Sequence, residues 1–76
     1  MADKRHLKIA LQGADAIPSW REGSPGKSLD LSGANLRRAQ LPNANLNGVD
    51  LHDANLEWAD LRWADLVNAN LSSAKL

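Results

Sequence analysis

Residues 29–76 read LDLSG ANLRR AQLPN ANLNG VDLHD ANLEW ADLRW ADLVN ANLSS AKL when the chain is cut every five residues. Leucine holds the centre of every unit, at Leu31, Leu36, Leu41, Leu46, Leu51, Leu56, Leu61, Leu66, Leu71 and Leu76. Two positions earlier stands alanine, at Ala34, Ala39, Ala44, Ala54, Ala59, Ala64, Ala69 and Ala74, with Leu29 and Val49 as the exceptions. A fixed period marks a repeat architecture and decides the fold before any local propensity is consulted.

The period excludes a helix in spite of the alanine and leucine content. Five residues advance a helix by about 500°, so each leucine would sit roughly 140° around the axis from the last, and every face would expose leucine to water. An apolar pair at spacing two, reset every five residues, is instead local strand geometry. Two or three extended residues followed by a turn, repeated without interruption, make a coil.

Units such as Ala34-Asn35-Leu36, Ala54-Asn55-Leu56, Ala59-Asp60-Leu61 and Ala64-Asp65-Leu66 closely resemble the pentapeptide-repeat family, whose repeat is summarised as A(D/N)LXX. The resemblance covers about two thirds of the chain. It implies an all-β solenoid: a right-handed quadrilateral β-helix with one pentapeptide per side, four per coil, and the Leu and the preceding Ala pointing inward. On that plan residues 29–76 form about two and a half coils, close to the minimum for a repeat fold. Residues twenty apart stack, giving core ladders Leu31/Leu51/Leu71, Leu36/Leu56/Leu76, Leu41/Leu61 and Leu46/Leu66.

The two residues after each leucine make the corner. Gly33, Asn43, Gly48, Asp53 and Asn68 hold the second corner position, where a type II turn requires positive φ. Arg38, Trp58 and Trp63 hold the same position and resist positive φ, so a different turn type is expected there. Stacking also predicts an Arg37–Glu57 surface ion pair.

Residues 1–28 break the pattern and are expected to form a helical cap with a linker, against the less favoured reading of a partner-binding helix. Leu7, Ala10, Leu11 and Ala14 follow helical spacing, and Gly13 can end that helix. Asp15 can cap a second helix that tolerates Pro18 in its first turn. Leu7, Leu11 and Trp20 are the expected apolar anchors. Leu11-Gln12-Gly13 followed by Ser19-Trp20-Arg21 resembles the helical leader of some bacterial, especially cyanobacterial, members of the family. Such a cap covers the apolar end of the first coil and blunts its strand edge.

Charge is balanced, with nine basic and nine acidic residues, so neither a nucleic-acid surface nor an acidic block is expected. There is no cysteine, hence no disulfide and no thiolate metal site. No segment is long and apolar enough for a secretory signal or a membrane span, and a cytoplasmic location is expected. His6 and His52 lack partners at metal-ligand spacing and read as surface residues. No serine or aspartate arrangement supplies an activated nucleophile. Catalytic, cofactor and metal sites are therefore all expected to be absent.

A non-catalytic structural or protein-interaction scaffold is the leading functional reading, its protein partner unidentified. Some relatives in the resembled family mimic duplex DNA and bind DNA gyrase. Dense negative charge is needed for that, and residues 29–76 carry six acidic against four basic residues. A third reading makes the chain part of a larger protein whose other domains carry the activity. Trp58 and Trp63, at outward corners, are candidate interface residues or local packing, Trp58 lying over Arg38 and Trp63 over Asn43. The chain ends at Leu76 in mid-coil. That leaves Leu71 and Leu76 as candidate contacts for a weak two-fold dimer through the last coil.

Overall fold

The computed structural model describes residues 2–76, and Met1, the first residue of the expected cap, lies outside the described residues. Two helices occupy the N-terminal part: α1 over Lys4–Leu11 and α2 over Ala16–Gly23. Asp3 opens α1 by accepting the Arg5 backbone N–H on its carboxylate at 2.8 Å. Gly13, at φ 111°, turns the chain out of α1 and donates to the Ala10 carbonyl at 3.1 Å. Asp15 precedes α2 but makes no side-chain cap, because its own backbone is already helical at φ −70°, ψ −21°. Pro18 sits in the first turn of α2, where its missing N–H costs nothing.

From residue 29 the backbone pairs with itself at a spacing of twenty. Parallel bridges join Asp30 to Asp50 to Asn70, Asn35 to Asn55 to Lys75, Gln40 to Asp60, and Asn45 to Asp65. These are four stacks, one for each pentapeptide of a twenty-residue coil, numbered below in chain order. Three hydrogen bonds repeat in each stack. The leucine N–H donates to the bridge residue of the next coil, as Leu31 does to the Asp50 carbonyl at 2.8 Å. The second corner residue donates to the first corner residue above it, as Gly33 does to the His52 carbonyl at 2.8 Å. The bridge residue donates back to the coil below, as Asn55 does to the Ala34 carbonyl at 2.9 Å.

Strands of two or three residues do not form; each pentapeptide contributes a single bridge residue among those described. The reason lies in the corners, which put a left-handed residue into the backbone every five residues and end each extended run. Corner after corner, the leucine carbonyl accepts the N–H of the residue three further on, from Leu31–Ala34 at 3.1 Å to Leu71–Ala74 at 3.0 Å.

One turn geometry serves all of these corners. Arg38 (φ 65°), Trp58 (φ 63°) and Trp63 (φ 59°) adopt the same left-handed conformation as Asn43 (φ 61°) and Gly33 (φ 67°). The expectation of a different turn at Arg38, Trp58 and Trp63 is therefore corrected. Stacking overrides side-chain preference: Arg38 must be left-handed to donate its N–H to the Glu57 carbonyl at 2.9 Å, as Asn43 donates to Arg62 at 2.8 Å.

The core runs along the coil axis. Leu31, Leu36, Leu41, Leu46 and Leu51 are fully buried and Leu56 nearly so, with Leu29, Val49 and Ala54 between them. Leu61, Leu66 and Leu71 are only half-buried, and Leu76 is 78% exposed. Leu76 is thus a correction to the core assignment: no described residue covers it. At the other end, Ala10 of α1 and Ile17 of α2 are fully buried on the first coil, with Leu7, Ile9, Ala14 and Trp20 packed around them. Leu11 is 57% exposed and anchors nothing, because the face of α1 that meets the coil is the one carrying Ala10.

Candidate functional site

The polar position before each leucine has a task that the sequence reading left unassigned. Its side-chain oxygen accepts the backbone N–H of the first corner residue: Asp30 from Ser32 at 3.1 Å, Asn35 from Arg37 at 3.2 Å, Asn45 from Asn47 at 3.1 Å and Asn55 from Glu57 at 3.0 Å. Asp50, Asp60, Asp65 and Asn70 do the same for His52, Arg62, Val67 and Ser72. Gln40 and Lys75 are the exceptions: the corner after Gln40 begins with Pro42, which has no N–H to satisfy, and Lys75 carries no side-chain oxygen. The pairing of a lone glutamine with a lone corner proline was the available signal.

The same positions also engage neighbouring side chains. The Ser32 hydroxyl donates to Asp30 at 2.7 Å, and the Ser72 hydroxyl to Asn70 at 2.7 Å. His52 Nδ1 lies 2.6 Å from the Asp50 carboxylate, and Nε2 lies 4.0 Å from Asp53. That contact raises the His52 pKa and, with the His52 backbone N–H, lowers that of Asp50. The Ser32 hydroxyl and N–H hold Asp30 below the usual carboxylate range, and the Arg62 guanidinium does so for Asp60. Among the described residues no three His, Cys, Asp or Glu side chains converge as a metal site would require.

His6 is likewise partnered. Its Nδ1 accepts the Asp30 N–H at 2.8 Å, its ring meets Trp20 edge-on at 4.9 Å, and the Asp3 N–H donates to the Asp30 carbonyl at 3.1 Å. On the fourth stack, Nη2 of Arg21 donates to the Asn45 and Asn47 carbonyls at 2.9 and 3.0 Å. These contacts stand where a preceding coil would have placed its backbone. The helical segment thereby supplies both apolar cover and substitute hydrogen bonds at this end. A shallow cleft of about 430 Å³ lies between it and the coils, floored by Pro18, Gln40 and Pro42, with Asp15 as its lone titratable side chain.

The exposed aromatic residues sit on one half of the molecule. Trp58, on the second stack, is 75% exposed, and Trp63, on the third, is 78% exposed. Arg62 lies 5.8 Å from the Trp63 ring and is held by a two-point ion pair to Asp60 at 3.0 and 2.9 Å. The expected stacking of Arg38 on Trp58 does not form; with Gln40 the two side chains instead line an open cleft of about 350 Å³. The expected Arg37–Glu57 ion pair does not form, and among the described residues neither Arg37 nor Arg38 meets a carboxylate at ion-pairing distance.

Charge divides along the same line. Stacks two and three carry Arg37, Arg38, Arg62 and Lys75 against Glu57 and Asp60, a balance of +2. Stacks four and one carry Asp30, Asp50, Asp53 and Asp65 with no lysine or arginine, a balance of −4. The near-neutral total conceals a lateral separation.

The family profile described as pentapeptide repeats matches residues 30–66 and 54–76, in eight copies. No curated protein and no solved structure matches the chain. No helix is long and apolar enough to cross a membrane among the described residues.

Proposed function

The chain belongs to the pentapeptide-repeat family, and we propose that it is a non-catalytic scaffold: a short right-handed quadrilateral β-helix that serves as a rigid docking surface or spacer in the cytoplasm. The observation that carries this reading is the commitment of its polar side chains to its own corners. Asp30, Asp50, Asp60 and Ser32 close turns or pair locally, which leaves their chemistry engaged in holding the coil. A rigid frame results, with freely variable side chains displayed at the corners.

A spacer of this kind should be extendable by whole coils. Duplicating residues 49–68 inserts twenty residues in register and is expected to raise the melting temperature, because each added coil brings one more interface. Duplicating only 59–61 inserts three residues, breaks the five-residue period and turns the following leucines off the axis, and is expected to lower it. Equal effects of the two insertions would contradict the β-helix reading.

We also propose weak two-fold self-association through the last coil. Among the described residues the N–H groups of Leu61, Trp63, Leu66 and Leu71 and the carbonyls of Ala59, Ala64 and Ala69 have no backbone partner, and Leu76 is exposed beside them. An edge with both donors and acceptors can pair with its own copy. Sedimentation across micromolar to millimolar protein is expected to show a dimer that Leu76→Lys weakens. A strict monomer throughout would rule it out.

A further inference from the structure

We infer that stacks two and three form a docking face for an acidic polypeptide segment in an extended conformation. This rests on the scaffold reading and supplies the chemistry of the partner. Three independent features meet there. Two indoles, Trp58 and Trp63, stand on consecutive corners at 75% and 78% exposure. Two guanidinium groups, Arg37 and Arg38, have no carboxylate partner among the described residues, and the cleft between Arg38, Gln40 and Trp58 opens directly to solvent. Finally, Arg38, Trp58 and Trp63 all hold left-handed backbone, at φ 65°, 63° and 59°.

The third feature separates this face from ordinary surface. At the other corners the same conformation falls to Gly33, Asn43, Gly48, Asp53 and Asn68, which tolerate it, or to the small Ser73. A bulky residue there is strained, and an indole mostly in water recovers little through packing. A local rule broken at three neighbouring corners, with the Arg62–Trp63 contact as the small return inside the fold, points to selection for something outside it.

The chemistry of the face selects the partner. Unpaired guanidinium forks match carboxylates in a two-point geometry. Flat indoles give apolar contact with little loss of side-chain freedom. A face charge of +2 is too sparse to hold a nucleic-acid backbone with one phosphate charge per ~1.7 Å of duplex axis, but it suits a few carboxylates. Because the indoles occupy successive corners, the partner must cross from one corner to the next. An extended chain does so at low ordering cost.

The test is a titration of the full chain with a (Glu-Pro)6 peptide, read by indole emission. This probe cannot aggregate through strand pairing, and it offers carboxylates together with rings that lie flat on tryptophan. Saturable binding is expected with a Kd between about 10 µM and 1 mM, weakening at least ~fivefold between 50 and 500 mM salt. Trp58→Asn and Trp63→Asn are each expected to weaken binding about tenfold or more while raising the melting temperature by ~2–5 °C. Val67→Asn, on the fourth stack, should leave binding unchanged. No saturable response, equal binding of (Lys-Pro)6, tighter binding of a dT12 oligonucleotide, or asparagine variants that melt lower would each overturn the assignment. A wild-type chain without cooperative melting would instead break the scaffold reading, so the two failures are distinguishable.

Discussion

The two ends of the coil stack are built from the same repeat and meet opposite fates. At the N-terminal end, Ala10 and Ile17 lie on the first coil, and His6, Asp3 and Arg21 hydrogen-bond to its backbone. At the far end the leucines are half-buried or exposed, and the backbone N–H groups of Leu61, Leu66 and Leu71 have no acceptor among the described residues. Leu31, Leu51 and Leu71 occupy one stack at one repeat position, yet Leu31 and Leu51 are fully buried and Leu71 is not. Burial in this fold is therefore conferred by neighbouring coils. The repeat motif determines which way a leucine points, and its position in the stack determines what that orientation is worth.

The largest test of this contrast compares identical substitutions in one stack. Leu51→Ala is expected to lose ~2–5 kcal/mol in urea unfolding, the usual cost of emptying a closed core site. Leu71→Ala, with solvent already at hand, should lose less than about 1 kcal/mol. Equal losses would show that the far end is as closed as the middle. Leu51→Asp should abolish folding altogether, since a charge would be left unpaired in the core.

A smaller effect is expected at the covered end. Arg21→Met keeps the aliphatic stem and removes both bonds to Asn45 and Asn47. A loss of about 1–2 kcal/mol is expected, reduced from the range for charged donors because this contact is partly solvated. The same change should speed amide exchange in α2 before it affects the second coil. No change in either measurement would mean that α2 is held by Ile17 alone.

The smallest effect concerns His52 and Asp50. Contact with Asp50 raises the His52 pKa in the folded chain, so its contribution is complete below the ordinary value of 6.5 and fades as pH rises through the folded value. The lowered Asp50 pKa contributes above 3.8 and is lost as pH falls through the folded value. The pair thus helps most between those two ordinary values. His52→Gln is expected to flatten a slight decline in melting temperature above that window. NMR titration should place the His52 midpoint above 6.5; a midpoint at or below it would contradict the contact.

The sequence made the inward leucines legible because a period of five admits few geometries. The turn type at Arg38, Trp58 and Trp63 was not legible: side-chain preference argues against positive φ, whereas the Arg38 N–H must reach the Glu57 carbonyl of the next coil, and Trp58 and Trp63 repeat the same turn. The role of the Asp/Asn position was hidden for a related reason, since it serves the backbone two residues on. The exchange of Gln40 with Pro42 was its visible trace. Leu11 and Ala10 are adjacent on α1, and helical spacing alone does not say which face of a short amphipathic helix meets a neighbour; the buried one is Ala10. The charge separation between halves emerges once residues twenty apart are stacked, and the total charge conceals it.

Residue-resolved amide hydrogen exchange tests the central claim most directly, at a concentration where the chain sediments as a monomer. The account predicts slow exchange for the amides of Leu31, Leu36, Leu41, Leu46, Leu51 and Leu56, each bonded to a carbonyl one coil further on. Asp30 should be protected by His6. Leu61, Leu66, Leu71 and Leu76, identical in the repeat, should exchange fast. Uniform protection of all ten leucine amides, or fast exchange at Leu36, Leu41 and Leu46, would contradict a stack closed at one end and open at the other.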